Sequence, residues 1–590
     1  MSNLDPFPIR HSFRNYRSTD AQRDFWSGLN VALLAFPQGM AYALIAGLPI
    51  EYGVYGSAVA ALIGPLFSGS RFIILGPTNA TSILLFTTFL GLNFAASEKL
   101  ALLPVLLLLV GLFLVLGALL RVADLIQYIS HSVITGYITA AALLIIANQT
   151  RSILGVSFEL PPGTTIVGII SLTVQHLNQT DIPSILLSAA TVLILVVLNR
   201  KFLTFPNIAI TLIIASLIAG IINTLPTKAI EGDISSSSLQ MLNAIDSSEW
   251  SLKIPKIGSA AVGNLAISAL VIAFLCILEG ASIGKSLAAR SGKRFNTNQE
   301  MLGMGIANIA CSFSGGMPAS GSLSRSSLNY NSNATSPFSS IISGLICTFV
   351  AALFGGLVAY VPKAALGVVV ISIGLSLINR YDINVSLKTT KSDAIVFTTT
   401  FLSALLVKLE FGILLGTITS IFLFVRKAAV PELIEYTASK DGDLAPLEKG
   451  KSRHDPEVSI VHVEGELFFG AAELFRDQMR RLVEDSNLKV VILKMRNAHH
   501  LDSTSALALI ELVRNMREIG RYLLVSEARE EVFQVFRNSG LIEVIGSENI
   551  FPEDSQNPTL STAQALRRAK EIVGGKRTRV SIFTKGGKNS

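Results

Sequence analysis

The chain has 590 residues, of which 50% are hydrophobic and only 15% are charged, and its formal net charge is +7. Soluble proteins carry about a quarter charged residues, so this composition excludes an ordinary soluble chain. Its three cysteines, Cys276, Cys311 and Cys347, all lie in apolar stretches, which argues against a disulfide framework and against a thiolate metal site.

Apolar runs of about twenty residues, the length that crosses a bilayer, recur up to Arg426. They predict fourteen membrane segments, seven in each half, separated by a polar stretch at 226–258 that contains a serine run at 235–238. An odd number of segments per half makes the second half enter from the opposite side, the pattern of an inverted repeat. The predicted segments are 28–46, 50–68, 76–93, 100–120, 125–147, 182–198 and 205–224, then 262–281, 299–314, 317–332, 338–360, 363–379, 393–408 and 410–426.

Basic residues are concentrated in the loops on one side of the predicted membrane segments. Lys285, Arg290, Lys293 and Arg294, for example, lie between the eighth and ninth segments. Cytoplasmic connections of membrane proteins carry an excess of Lys and Arg. The asymmetry therefore predicts that both termini are cytoplasmic. It also explains most of the net positive charge without a nucleic-acid partner.

The third and tenth segments open in the same unusual way, with Gly and Pro followed by small, mostly hydroxyl-bearing residues at 76–82 and 316–322. Proline is tolerated at a helix start, and small residues let another backbone or a ligand approach. Two short helices that start at mid-membrane and face each other would aim their N-terminal N–H groups at one point. These openings predict an anion site, with a pair of packing kinks as the alternative.

Two further segments supply candidate polar partners. In the first segment Gln38 and Tyr42 follow Pro37 and lie four residues apart on one helix face, where they either donate to an anion or satisfy each other. In the eighth segment Glu279 follows a long apolar run, and an intramembrane carboxylate is a functional candidate by default. Glu279 either takes up and releases a proton during transport or forms a static ion pair, most obviously with Arg325.

Several stretches resemble the signatures of the SulP (sulfate permease) anion-transporter family. The resemblance covers nearly the whole chain and implies a seven-plus-seven inverted repeat of core and gate domains, an elevator-like displacement and a dimer. The matching stretches are 36–49 (FPQGMAYALIAGLP), 52–56 (YGVYG), 129–137 (ISHSVITGY), 298–308 (NQEMLGMGIAN) and 318–326 (PASGSLSRS).

The resemblance also implies roles for individual residues. Glu279 falls on the acidic position implicated in proton coupling, whereas sodium-dependent bicarbonate members have Asp there. Ser324 falls on an anion contact and Arg325 on its supporting charge. Thr78-Asn79-Ala80 is more polar than in many members, which leaves the substrate open. The predicted substrate-binding residues are Gln38, Tyr42, Thr78, Asn79, Ala80, Gly321, Ser322, Ser324 and Arg325.

Beyond Arg426 the pattern changes to alternating strands and helices, which is typical of an α/β layer fold and resembles the STAS domain. Asp502-Ser503 matches the turn where STAS antagonists of anti-sigma factors carry a phosphorylatable serine, and a simple helix cap is the alternative for Ser503. The predicted parts are an N-terminal segment (1–25), a transport domain (26–427), a linker (428–455), a STAS domain (456–553) and a basic tail (554–590).

The sequence thus predicts a polytopic α-helical membrane protein with a C-terminal STAS domain, located in the cell membrane and without a metal or other cofactor. The leading functional hypothesis is a proton-coupled sulfate transporter that works as a homodimer. Bicarbonate, chloride and dicarboxylate transport, an uncoupled anion channel and a membrane sensor remain alternatives. The STAS domain could bind a cytoplasmic regulatory protein, and no enzymatic constellation is present.

Overall fold

The structure is a computed structural model, and it describes residues 4–13, 16–91, 96–124, 130–158, 160–161, 164–201, 207–224, 239–246, 250, 252, 254–256, 258–407, 409–430, 432–438, 444–447, 453, 455–554 and 560–574. The chain forms two compact units, Met1–Ser420 and Ile421–Ser590. The serine run at 235–238 and the end of the predicted basic tail lie outside the described residues.

The N-terminal unit is helical, and each of the fourteen predicted segments contains a helix. Within the described ranges, nine helices are long and apolar enough to cross a membrane. The helices are α1 (Arg10–Phe13), α2 (Ser18–Ala46), α3 (Ile50–Phe67), α4 (Asn79–Gly91), α5 (Ala96–Leu119), α6 (His131–Leu154), α7 (Ile166–Gln175), α8 (Ile182–Lys201), α9 (Asn207–Thr224), α10 (Ser259–Ser291), α11 (Thr297–Ser314), α12 (Leu323–Asn331), α13 (Phe338–Phe354), α14 (Lys363–Leu377), α15 (Arg380–Lys388), α16 (Lys391–Leu406) and α17 (Leu409–Ala428), the last of which continues into the C-terminal unit.

Two predicted spans are not single helices. In place of segments 76–93 and 317–332, the chain forms the two-residue strands β1 (Leu75–Gly76) and β2 (Ser320–Gly321), followed by the short helices α4 and α12. The cause is the Gly- and Pro-containing opening of each segment, because Pro77 and Pro318 interrupt helical hydrogen bonding. Each prediction of a broken helix is therefore realised as a strand and a half-length helix.

Other helices differ from their predicted bounds. Helix α2 begins at Ser18, inside the predicted N-terminal segment, and Asp24 on it is fully buried. The Asp24 carboxylate accepts from the backbone N–H groups of Thr335 at 2.7 Å and Ser336 at 3.2 Å. These bonds fasten the first helix to the loop that precedes α13. Helices α7 and α15 were not predicted.

The C-terminal unit is an α/β fold around one mixed six-stranded sheet of order β4-β3-β5-β6-β7-β8, in which β5 to β8 are parallel and β3 and β4 are antiparallel. One apolar face packs on α18 to α21, and the other packs on α22. The elements are β3 (Glu432–Ala438), β4 (Leu444–Pro446), β5 (Val458–Glu466), α18 (Phe469–Val483), β6 (Val490–His499), α19 (Ser503–Glu518), β7 (Tyr522–Ala528), α20 (Glu530–Asn538), α21 (Leu541–Ile545), β8 (Ile550–Pro552) and α22 (Leu560–Val573).

This folded unit is larger than the predicted STAS boundaries of 456 and 553. The stretch 428–455, expected to be a linker, supplies β3 and β4, and its Arg453 contacts Glu435 and Asp485. Helix α22 comes from the predicted tail, and its Ala565 and Ala569 are fully buried against the sheet. The sequence did not indicate these strands because β4 has only three residues and because Glu432 and Glu435 interrupt the apolar residues of β3.

Candidate functional site

The two halves of the membrane unit meet at β1 and β2, which pair in antiparallel fashion. Leu75 lies opposite Gly321 and Gly76 opposite Ser320, and the Ser322 N–H donates to the Ile74 carbonyl at 3.0 Å. Each strand leads directly into the helix that follows it. Consequently α4 and α12 begin beside one another, deep inside the unit.

These helix starts leave hydrogen-bond donors exposed to the space between them. The first N–H groups of any helix lack an intrahelical acceptor, and they carry about half a positive charge between them. At α4 the Thr81 N–H donates to the Thr78 hydroxyl at 3.3 Å, while no side chain caps the start of α12 at Ser322. The arrangement therefore presents backbone donors suited to an anion.

Arg325, on the first turn of α12, is fully buried behind these helix starts. Its guanidinium donates to the Pro77 carbonyl through Nη2 and to the Ser57 hydroxyl at 3.4 Å through Nη1. In the described part of the chain, no ion pair joins Arg325 to Glu279. The static-pair alternative is therefore not what the structure forms.

A cavity of about 500 Å³ opens in front of the two helix starts. All the predicted substrate-binding residues except Arg325 line it, and so does Glu279. Arg325 instead lies behind the wall, where it holds the carbonyl that precedes α4. The cavity is lined by Gln38, Tyr42, Thr78, Asn79, Ala80, Ile134, Ile138, Ala141, Ile208, Leu278, Glu279, Ser282, Ile283, Gly321, Ser322, Leu323, Ser324, Ser327, Ser372, Ile373, Ser376 and Leu377.

Gln38 and Tyr42 both face this cavity from α2. The Gln38 amide donates to the Ser324 hydroxyl at 3.4 Å, and that hydroxyl lies 3.4 Å from the Ser322 hydroxyl. The Gln38 carbonyl oxygen is buried without a hydrogen-bond partner in the described structure. Gln38 is therefore linked across to α12, and the first segment and the tenth share one polar wall.

Glu279 is connected to the start of α4. The Thr78 hydroxyl donates to a Glu279 carboxylate oxygen at 3.0 Å and also lies 3.1 Å from the Thr81 hydroxyl. Because Thr78 is the residue immediately before α4, this hydrogen bond joins Glu279 to the helix start that faces the cavity.

The opposite wall was not predicted. It comes from α6 and α14 and is mainly apolar, with Ser372 and Ser376 as its hydroxyls. The Ser376 hydroxyl donates to the Ile373 carbonyl of its own helix at 2.6 Å. A spacing of four residues on α14 was the available signal, but serines in apolar helices commonly bond their own backbone.

Ser503 lies in the other unit and is the exposed first residue of α19. Asp502 caps this helix, since its carboxylate accepts from the Ser505 N–H at 2.9 Å, and it also accepts from the Phe469 N–H at 2.7 Å. The Asp502-Ser503 turn thus serves as a helix cap, as the simpler alternative expected. Phosphorylation of Ser503 stays a prediction.

Comparison with known families gives two matches. Residues 22–400 match the sulfate permease family and residues 451–556 match the STAS domain. The chain belongs to the sulfate permease family. As a sulfate permease family member with a STAS domain, it is a polytopic helical membrane protein, as the sequence predicted.

Named relatives of this family member align over most of its length. It is 28% identical to sulfate transporter 4.1, chloroplastic, of Arabidopsis thaliana, over 92% of this chain and 81% of the relative. It is 25% identical to a putative sulfate transporter of Bacillus subtilis, over 91% of this chain and 97% of the relative. It is 26% identical to a probable sulfate transporter of Mycobacterium tuberculosis, over 94% of this chain and 97% of the relative.

Solved structures show the same fold in more distant proteins. The murine Solute Carrier 26 family member A9 anion transporter superimposes with a TM-score of 0.85 at 22% identity, covering 96% of this chain and 94% of that one. The transmembrane domain of the cyanobacterium bicarbonate transporter BicA gives a TM-score of 0.57 at 20% identity, covering 69% of this chain and 98% of that domain.

Proposed function

We propose that this sulfate permease family member takes up sulfate together with protons. The observation that carries the proposal is the cavity in which the starts of α4 and α12 converge, with Glu279 in the same wall. Relatives across most of the chain are named sulfate transporters. Anion transport is the class of activity, and sulfate is the substrate we assign.

The donors around the cavity suit an oxyanion. Backbone N–H groups at the two helix starts, the Gln38 amide, the Tyr42 phenol and the Ser324 hydroxyl can each donate to an oxygen that accepts several hydrogen bonds. Arg325 contributes positive charge from behind the wall without contacting the anion. Donors without a direct ion pair allow the anion to be released again on the other side.

Coupling to protons follows from the charge of Glu279. An ionised carboxylate in the same cavity repels a bound anion, and inside a protein this repulsion is stronger than in water. Protonation removes the repulsion, so an anion and a proton each favour binding of the other. The Thr78 hydroxyl, which donates to Glu279, links this change to α4.

The cavity lies between two groups of helices, α2, α4, α10 and α12 on one side and α6, α9 and α14 on the other. We assign the first group to a core domain and the second to a gate domain. Movement of the core against the gate, as in an elevator, would expose the cavity to each side in turn. We further propose a homodimer in the cell membrane with both termini in the cytoplasm.

A bicarbonate transporter is the second candidate, because the BicA transmembrane domain shares the fold and the cavity donors do not select one oxyanion. Chloride or dicarboxylate exchange and an uncoupled anion channel use the same donors. These alternatives differ in the ion gradient that drives accumulation.

Uptake into proteoliposomes distinguishes them. Purified full-length protein is reconstituted, and labelled sulfate, bicarbonate and succinate are offered under separately imposed proton and sodium gradients. We expect sulfate to accumulate above its external concentration when the outside is acidic. Sodium-driven bicarbonate uptake without a response to protons would overturn the proposal.

The variant Glu279→Gln tests the coupling residue. It keeps the volume and an acceptor for Thr78 but cannot take up a proton, so we expect the pH-driven accumulation of sulfate to fall about tenfold while exchange at equal pH persists. Glu300→Gln is the control, since it makes the same chemical change at a fully buried carboxyl group that accepts from the Ser70 N–H and does not line the cavity. Unchanged pH dependence in Glu279→Gln would remove the proton from the mechanism.

A further inference from the structure

Asn308 lies in the middle of α11, is fully buried, and does not line the cavity. Its side-chain amide makes three hydrogen bonds. The Nδ2 group donates to the Met304 carbonyl of its own helix and to the Ala319 carbonyl, both at 2.8 Å, and the Oδ1 atom accepts from the Ala319 N–H at 2.9 Å. Both backbone groups of one residue, Ala319, are therefore bonded by one side chain.

The β1–β2 pairing explains why Ala319 requires such a partner. If the register of Gly76 with Ser320 is continued by one residue, Pro77 comes opposite Ala319. The Ser322 N–H donates to a carbonyl of the facing chain three positions further on, and hydrogen-bonded pairs alternate along antiparallel strands with pairs that exchange no hydrogen bond. Ala319 and Pro77 therefore form a pair of the second kind, so the N–H and the carbonyl of Ala319 point away from β1. Buried backbone groups left without a partner are costly.

Asn308 thus takes the place of a strand residue on the side of β2 that faces away from β1. An amide side chain carries one acceptor and one donor group side by side, the same pair that a strand presents. The preceding carbonyl, of Pro318, is held by the Thr81 hydroxyl at 3.2 Å. The two residues before β2 are therefore fixed by side chains from α11 and α4.

Fixing Ala319 also fixes the start of α12. Only Ser320, Gly321 and Ser322 separate Ala319 from the first residue of that helix. Along such a short connection, a displacement of Ala319 passes to the helix start and to Ser324 in the cavity wall. Binding groups must be held to within a fraction of an ångström for full effect.

We infer that Asn308 is a positioning residue of the anion site, which sets the depth at which the N-terminal donors of α12 enter the cavity. The inference rests on the proposed anion transport. It assigns no contact between Asn308 and the anion.

The test is Asn308→Asp in the full-length protein, reconstituted for uptake of labelled sulfate. Aspartate has nearly the same shape but, when ionised, cannot donate to the Ala319 and Met304 carbonyls. We expect the KM for sulfate to rise about tenfold with a much smaller change in maximal rate, since misplaced binding groups weaken the site. Sulfate-dependent thermal stabilisation should require correspondingly more sulfate.

Ser312→Ala is the control, because Ser312 lies one turn further along α11, is also fully buried, and among the described residues bonds only the Ile309 carbonyl of its own helix. It should leave the KM unchanged. If Asn308→Asp is not recovered folded, Asn308→Gln replaces it, since the longer stem keeps both amide groups but moves Ala319. It should raise the KM in the same way.

The two proposals fail in different ways. A folded Asn308 variant with the KM of the wild type overturns the positioning role and leaves anion transport intact. A wild-type protein that neither transports nor is stabilised by any of sulfate, bicarbonate and succinate overturns anion transport, and the positioning role with it. A lower maximal rate at unchanged KM also rejects the positioning role, because it indicates a general structural defect.

Discussion

Arg325 illustrates how one residue can contribute charge to the proposed anion site without lining its cavity. Its guanidinium is bonded to a carbonyl and a hydroxyl, of Pro77 and Ser57, which are neutral groups. The positive charge is therefore not cancelled by a paired carboxylate. It remains available to both helix starts, and in the proposed mechanism its hydrogen bonds to Pro77 and Ser57 keep it from pairing directly with the anion.

Gly76 provides a test of this arrangement. A Cβ atom at Gly76 would lie 2.6 Å from Nη1 of Arg325, so Gly76→Ala must displace the guanidinium. We expect uptake of every transported anion to fall about tenfold, because a shift of about 1 Å in a binding group is enough for such losses. The measurement is initial uptake into proteoliposomes, normalised to reconstituted protein.

Gly220→Ala is the matched control for that experiment. It makes the same chemical change in helix α9, and a Cβ atom there has no neighbour within 4 Å. Uptake should stay at the wild-type level. Equal losses in the two variants would show that the glycines, rather than the contact with Arg325, account for the effect.

In the C-terminal unit, His462 is buried in strand β5 beside Tyr436. Burial, together with the positive charge of Lys494, lowers the pKa of His462 below its ordinary value, and Glu464 opposes this only in part. Below about pH 6.5 an unfolded chain therefore binds a proton at this histidine that the folded unit does not. Above that pH both states are neutral and the histidine has no effect.

The expected result is that the C-terminal unit loses stability as the pH falls below about 6.5, and that His462→Gln reduces this slope. Calorimetry of the full-length protein at several pH values measures it. If the pH dependence of stability is the same in His462→Gln as in the wild type, it arises from other groups.

At the scale of elements, the sequence indicated where the membrane helices lie because long apolar runs leave few other choices. It also located the broken helices, since Gly and Pro opened the third and tenth segments. It could not reveal that β1 and β2 pair, because a two-residue strand has no periodicity to detect. The role of Asn308 follows only from that pairing, which leaves the N–H and carbonyl of Ala319 pointing away from β1.

Helices and strands outside the long apolar runs were harder to predict from the sequence. Helix α15 has charged and polar residues throughout and gave no apolar run, and α7 has only ten residues. Strands β3 and β4 lie in the predicted linker, and α22 lies in the predicted basic tail. Their places depend on the sheet they complete, and contacts so distant in sequence leave no local signal.

At the scale of the whole molecule, residues from both halves of the membrane unit build one cavity. Gln38, Thr78 and Asn79 come from the first half, and Glu279 and Ser324 come from the second. Sequence reasoning named these residues from local chemistry and resemblance. It gave Arg325 as the charge that supports the anion contact, but not its position behind the cavity wall, because sequence does not indicate toward which side of a short helix a long side chain points.

Among the described residues that line the cavity, Glu279 is the one carboxyl group. One proton carried with one sulfate dianion leaves a net charge of −1 to cross the bilayer, so transport would be electrogenic. Each 100 mV of membrane voltage acts on one such charge with about 2.3 kcal/mol. Bicarbonate with one proton would carry no net charge.

The voltage dependence of accumulation therefore measures the net charge that crosses with each anion, which depends on both the substrate and the number of protons. With potassium and valinomycin used to set the voltage, we expect an inside-negative potential of 100 mV to lower sulfate accumulation about fiftyfold, and an inside-positive one to raise it. Bicarbonate uptake with one proton should not respond. Sulfate accumulation that is indifferent to voltage would require a second proton, held by a group other than Glu279.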